Sequence, residues 1–254
     1  MVDAALGVLT RYHLLTALAM VGLLAGVAHP LAGRLLRGRV HWSALAIVAG
    51  LGLALCGGWR TGGKQGLADL PVFAGLALLG GPMLRDLAIV ATAFGVRLEE
   101  LKGGGLIGGV SLLLGLTVSF AFGGAVAYAW GYRDAASITT IGAGAATYIV
   151  GPVTGTAVGA DSEVVALAVA AGLVKAILVM VATPWVARWI GLDNPRSAMI
   201  FGGLMGTNSG VMAGLAATNP RLVPYGAMTA TFYTGLGCLL GPSVYFGIIR
   251  WVIG

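Results

Sequence analysis

GAGAATYIVGPVTGTAVGAD, residues 142–161, is the stretch on which the reading of this chain turns. It holds five Gly, one Pro, three Thr and a Tyr, yet apolar segments flank it on both sides. Gly and Pro are the poorest helix formers, and a hydroxyl placed in hydrocarbon requires a partner. Such a segment is out of place in a simple transmembrane rod.

Composition places the chain in a membrane. Of 254 residues, 58% are hydrophobic and 9% charged, and the mean hydropathy is +0.93. A soluble domain carries about 25% charged residues. The net charge of +6 is spread over several loops, without the clustered basic patch that nucleic acid would require. Cys56 and Cys238 lie far apart in apolar runs, so they form no metal-ligand spacing and read as small core hydrophobes.

Apolar runs of about 20 residues cross ~30 Å of hydrocarbon. Residues 14–31 form the first, read as a retained span rather than a cleaved signal, and 43–59 the second. The run from residue 70 is open to two readings. It is either one span holding Arg85 and Asp86, or two segments broken at Gly80-Gly81-Pro82. Residues 105–130 form an unbroken span, and the opening stretch follows. Then come 164–190 with Lys175 near its middle, a second Gly-rich stretch at 199–220, and a final span at 225–251. The expected architecture is all-α, a polytopic single membrane domain over 1–254. It has about 6–8 transmembrane segments and two Gly-rich broken or re-entrant helices. Sliding 138–172 by 59 positions onto 197–231 aligns eight identical residues, among them Gly151 with Gly210 and Gly155 with Gly214, a weak internal repeat.

Irregular backbone survives at membrane depth where it is buried in protein or lines a wet cavity. Paired interrupted helices at corresponding points of a repeat mark transporter binding sites. Their N-termini face anions and their freed carbonyls ligate cations. The candidate substrate-binding side chains are therefore Thr147, Thr154, Thr156, Thr207, Asn208 and Ser209. Candidate ion ligands are Asn208 and the backbone at Gly144, Gly151, Gly155, Gly206 and Gly210, with a metal site for Na⁺ near Thr154 and Asn208. The bland alternative is close helix packing, since Gly151-x-x-x-Gly155 and Gly210-x-x-x-Gly214 also suit tight contacts.

Charges add two candidates. Lys175 sits about ten residues from either end of its run. A cation at that depth costs at least ~2.5–3.5 kcal/mol and is a functional candidate by default. It is a counter-charge for an anionic substrate, or else a structural partner of Asp161, Glu163 or Asp86. Arg85 is the second candidate. His13, His29 and His41 read as interfacial. If each weak stretch enters and leaves on one side, Arg34, Arg37, Arg39, Arg97, Lys102, Arg188, Arg196 and Arg221 share a face. Opposite them lie Arg11, Arg60, Lys64, Arg133 and Arg250. Full crossings would reverse the bias, so the positive-inside tendency favours re-entrant hairpins from opposite sides, with the amino terminus outside. No catalytic constellation is present: the chain lacks HExxH, a P-loop lysine and a nucleophile elbow with a matching triad.

Three blocks carry a family resemblance: GLADLPVFAGLALLGGPMLRDLAIVATAFGVRLEELK, ITTIGAGAATYIVGPVTG and FGGLMGTNSGVMAGLAATNPRLVPYGAMTATFYTGLGCLLGPS. Together they resemble the MadM subunit of bacterial malonate transporters, over nearly the whole chain. The resemblance implies a secondary transporter rather than an enzyme, with sodium-coupled malonate uptake across the bacterial cytoplasmic (inner) membrane. It also implies a smaller integral-membrane partner, MadL. It supplies no binding residues, and no covalent cofactor is expected. Physics alone leaves H⁺ open as the coupling ion. It also leaves open a passive channel, a carrier for another small organic anion, or a non-transporting assembly subunit.

Overall fold

A computed structural model describes residues 2–35, 40–62, 66–79 and 98–253. Arg37, Arg39, Lys64, the Gly80-Gly81-Pro82 break, Arg85, Asp86 and Arg97 lie outside the described residues. Every regular element described is helical. Contacts divide the chain into two units, Met1–Ala91 and Thr92–Gly254.

The first unit pairs α2 (His13–Leu35) with α3 (Trp42–Thr61), both apolar enough to cross a membrane. A shorter α1 (Val2–Arg11) precedes them, tied to α2 where Thr16 Oγ1 donates to Leu9 O at 2.9 Å. Two 3-10 turns and the short α4 (Gly75–Leu79) follow. His41 caps α3, its Nδ1 accepting from Ser43 N. Cys56 is exposed on α3, which corrects the expectation of a core thiol. A small apolar side chain serves equally on a lipid-facing surface.

The second unit is built on three long helices: α5 (Leu98–Ala129), α8 (Ser162–Val186) and α11 (Val223–Leu240). The last continues through a π-turn at Gly241–Tyr245 into α12 (Phe246–Ile253). Between the long helices lie two pairs of short ones. The first pair is α6 (Ala135–Ala146) and α7 (Val150–Val158), the second α9 (Pro195–Met205) and α10 (Asn208–Thr218). At 1.5 Å per residue each short helix is roughly 13–18 Å long, about half the hydrocarbon thickness.

Both pairs fold back on themselves. In the first, the Cβ position of Gly151 lies 2.9 Å from Gly144 Cα, and that of Gly155 lies 2.8 Å from Thr140 Cγ2. Residues equidistant from the bend therefore face each other, as in an antiparallel hairpin. In the second, Gly226 of α11 meets both Ala198 O and the Leu215 side chain. A straight helix would hold residues 198 and 215 roughly 25 Å apart. Each Gly-rich stretch is thus a helical hairpin that folds back on itself. Among the described residues, five helices are long and apolar enough to cross.

The two hairpins stack along the long helices from opposite sides. On α5, Ser111 and Gly115 pack against Gly203 of the second hairpin, whereas Phe120, Gly123 and Gly124 pack against Gly142, Ala145 and Ile138 of the first. On α8 the order is reversed: Ala168 and Gly172 meet Gly144 and Tyr148, then Ala176 and Thr183 meet Gly210 and Gly214. On α11, Gly226 meets Gly202, and further on Gly237 and Gly241 meet Val150 and Thr154. Small residues let the backbones approach where lipid supplies no hydrophobic drive. Trp130 and Trp251 at one rim, and Trp185 and Trp189 at the other, are exposed, as interfacial anchors are.

Candidate functional site

Each long helix changes hairpin partner near its middle, and a polar side chain stands at each changeover: Ser119 on α5, Lys175 on α8 and Tyr233 on α11. They meet. Lys175 Nζ donates to Ser119 Oγ at 2.9 Å, to Ala146 O at 2.9 Å and to Tyr233 Oη at 3.4 Å. Its ammonium also lies 5.3 Å from the Tyr233 ring centre. Tyr233 is fully buried and donates its own hydroxyl to Gly115 O at 3.2 Å. These partners are all neutral. Asp161 and Glu163, the carboxylates expected in a structural pair, are exposed at the start of α8. Asp86 lies outside the described residues.

The hairpin tips converge on this cluster from either side. Ala146 closes α6, so its carbonyl belongs to the negative end of a half-helix. Gly206, at the second bend, adopts φ +69° and lies directly against the Tyr233 ring. A side chain there would be strained in conformation and would run into the ring.

The tips differ in chemistry. Thr147 Oγ1 accepts from Ile149 N at 3.2 Å and Val150 N at 3.1 Å, capping α7 much as an N-cap residue does. Thr207, at the corresponding bend, makes no side-chain cap to α10. It is fully buried, and its Oγ1, Asn208 Oδ1 and Ser209 Oγ are buried without hydrogen-bond partners. Asn208 Nδ2 donates to Thr231 Oγ1 at 3.0 Å, while that hydroxyl donates to Ala227 O. This fixes the amide orientation and leaves Oδ1 free. The α10 N-terminus thus combines the positive end of a helix dipole with unused polar atoms.

Of the expected site residues, Lys175, Thr147, Thr207, Asn208 and Ser209 fall at the tips or between them. Thr154 is fully buried and unpartnered, but on the arm of the first hairpin against Gly241 of the π-turn. Thr156 is exposed. Gly144, Gly151 and Gly155 sit at helix contacts, as the packing alternative has it. Gly206 forms the second bend, and Gly210 lies in the first turn of α10 against Ala176 O. Ser119 and Tyr233 were missed by sequence reasoning, as was Thr139, another buried unpartnered hydroxyl. The available signal was depth: Ser119 and Tyr233 are polar groups near the middle of apolar runs, as Lys175 is. Gly241-Pro242 inside the last run was the unread sign of the π-turn.

A polytopic helical membrane protein with two opposed helical hairpins, and a lysine among neutral oxygens where they meet, has the make-up of a solute transporter subunit. The chain belongs to the family described as the malonate/sodium symporter MadM subunit, whose model matches residues 5–253. That family is a transporter subunit and not an enzyme. Comparison with curated proteins and with solved structures gives no significant match.

Proposed function

We propose that this subunit carries malonate together with sodium by alternating access, through the midplane region where the two hairpin tips meet. The observation that carries the reading is Lys175, a cation near the middle of a span whose described partners are all neutral. A dianion supplies the charge that its surroundings lack. One malonate carboxylate pairs with the Lys175 ammonium. The other takes the N–H groups of the α10 N-terminus, with Thr207, Asn208 and Ser209 as neutral partners. Thr207 and Tyr233 are fully buried, so substrate reaches this region only if a hairpin moves against the long helices. The hairpins, anchored by packing of small residues, are the elements suited to such movement. The chain operates in the bacterial cytoplasmic membrane beside a small MadL-like membrane subunit, in keeping with the word subunit in the family description.

The test is uptake of labelled malonate into vesicles with and without a sodium gradient, using the full chain alone and beside its small partner. Lys175→Gln removes a charge-assisted contact worth about 1.5–3 kcal/mol. The malonate KM should rise about tenfold or more. Transient uphill counterflow is expected of the unmodified chain. A well-inserted Lys175→Gln variant with unchanged KM, or uptake without counterflow, would sink the reading.

A further inference from the structure

The oxygens now holding the Lys175 ammonium have the chemistry of a sodium site. Ser119 Oγ and Ala146 O stand at 2.9 Å from Nζ and Tyr233 Oη at 3.4 Å. Gly115 O lies one hydrogen bond further, at 3.2 Å from Tyr233 Oη. All are neutral hard donors, and one is the C-terminal carbonyl of a half-helix, the feature that coordinates sodium in transporters with broken helices. An ammonium and a sodium ion carry the same charge and seek the same oxygens.

The opposite tip has the opposite polarity. Thr147 closes the α7 N-terminus, so the first hairpin offers the cluster a carbonyl. In the second hairpin the last carbonyl of α9, Met205 O, accepts from Thr207 N at 2.9 Å, whereas its counterpart Ala146 O accepts from Lys175. That leaves the α10 N-terminus, where the fully buried Thr207 hydroxyl has no partner. The first tip therefore presents a carbonyl to the cluster, and the second an unpartnered helix N-terminus.

We propose that sodium binds in the Ser119–Ala146–Tyr233 oxygen cluster in exchange for the Lys175 ammonium. The lysine acts as a tethered stand-in for the ion when the site holds no substrate. An arriving dicarboxylate draws Lys175 on its flexible four-carbon stem toward the α10 N-terminus. The vacated oxygens then require a cation, and sodium enters. One ammonium and one sodium ion balance the two carboxylates, so the occupied site is neutral. Each solute recruits the other because the lysine cannot occupy both places. This inference rests on the malonate reading given above.

The experiment measures binding of radioactive sodium to the purified full chain with its partner subunit, with and without malonate, alongside sodium-activated uptake. The unmodified protein should bind sodium only when malonate is present. Lys175→Met should bind it without malonate. Ser119→Ala retains the lysine and removes one oxygen. It should raise the sodium concentration for half-maximal uptake about tenfold, and leave the malonate KM at saturating sodium within about twofold. Should Lys175→Met fail to insert, Ser119→Ala decides alone. Malonate-independent sodium binding by the unmodified protein would overturn the exchange, as would unchanged sodium activation in Ser119→Ala. Failure of the malonate reading shows separately, as an unaltered malonate KM in Lys175→Gln beside a shifted sodium response in Ser119→Ala.

Discussion

Thr147 and Thr207 stand sixty residues apart at the bends of two similar hairpins, and they do different things. The first spends its hydroxyl on the backbone of its own tip, whereas the second keeps its hydroxyl buried and unpaired. The entrances, by contrast, are alike. Asp134 accepts from Ser137 N at 2.7 Å, and Asn194 accepts from Ser197 N at 3.0 Å. Both arms start from the same cap sixty residues apart, but beyond the bends the matching glycines, Gly151 with Gly210 and Gly155 with Gly214, are 59 apart. One residue fewer lies between bend and glycine in the second hairpin. The two tips thus differ in one respect, a hydroxyl that closes its own bend in the first and a hydroxyl without a partner in the second. A buried unpaired hydroxyl costs about 1–3 kcal/mol, so the second tip carries a local loss of stability, of the kind the proposed substrate site would account for.

The largest effects should come from filling the close approaches on which both hairpins depend. A Cβ at Gly172 would run into the Tyr148 backbone at the first tip, and one at Gly206 into the Tyr233 ring at the second. Gly172→Ala and Gly206→Ala should each destabilise at the upper end of the ~1–3 kcal/mol overpacking range. Loss of a monodisperse peak after detergent extraction reads this out. Normal behaviour of Gly206→Ala would mean that the second tip is looser than described.

The sharper comparison is Thr147→Val against Thr207→Val. The former strands two N–H groups and removes a cap worth about 0.5–2 kcal/mol, lowering the thermal midpoint by roughly 1–8 °C. The latter removes an unsatisfied hydroxyl and should leave the midpoint unchanged or raised, while the malonate KM rises several-fold. A reversed outcome, with stability lost at Thr207 and affinity lost at Thr147, would erase the distinction between the tips.

The smallest effect concerns the entrances. Although burial alone would raise it, hydrogen bonding from Ser137 holds the Asp134 carboxyl below its ordinary value. Its contribution is present above the unfolded value and is lost as pH falls below about 4. Asp134→Asn should therefore flatten the acid limb of the unfolding curve slightly, and pH-dependent thermal scans would check it. An identical acid limb would show that this cap does not contribute to acid sensitivity.

The helical membrane architecture was legible from composition and run lengths, because hydrocarbon leaves few ways to satisfy a backbone. The two interrupted stretches were legible for the same reason: Gly, Pro and Thr at depth make poor rods. Lys175 stood out by the cost of its burial. Thr154 and Thr156 share the residue type of Thr147 and Thr207, but sequence does not say which face of a short helix meets a neighbour. One packs on the arm against Gly241 and the other is exposed.

Patterning alone determined that this chain lives in lipid, that it carries two helix-hostile segments, and that Lys175 lies deep in an apolar run. These are statements about single residues and their solvent. That the hairpins oppose each other, that Ser119, Lys175 and Tyr233 share one point, and that the hydroxyl is partnered at one bend and unpartnered at the other were decided by tertiary structure. Those features depend on distances between residues up to 118 positions apart, as between Gly115 and Tyr233. They arise from backbones brought close at glycines, and a linear pattern does not encode which glycine meets which helix.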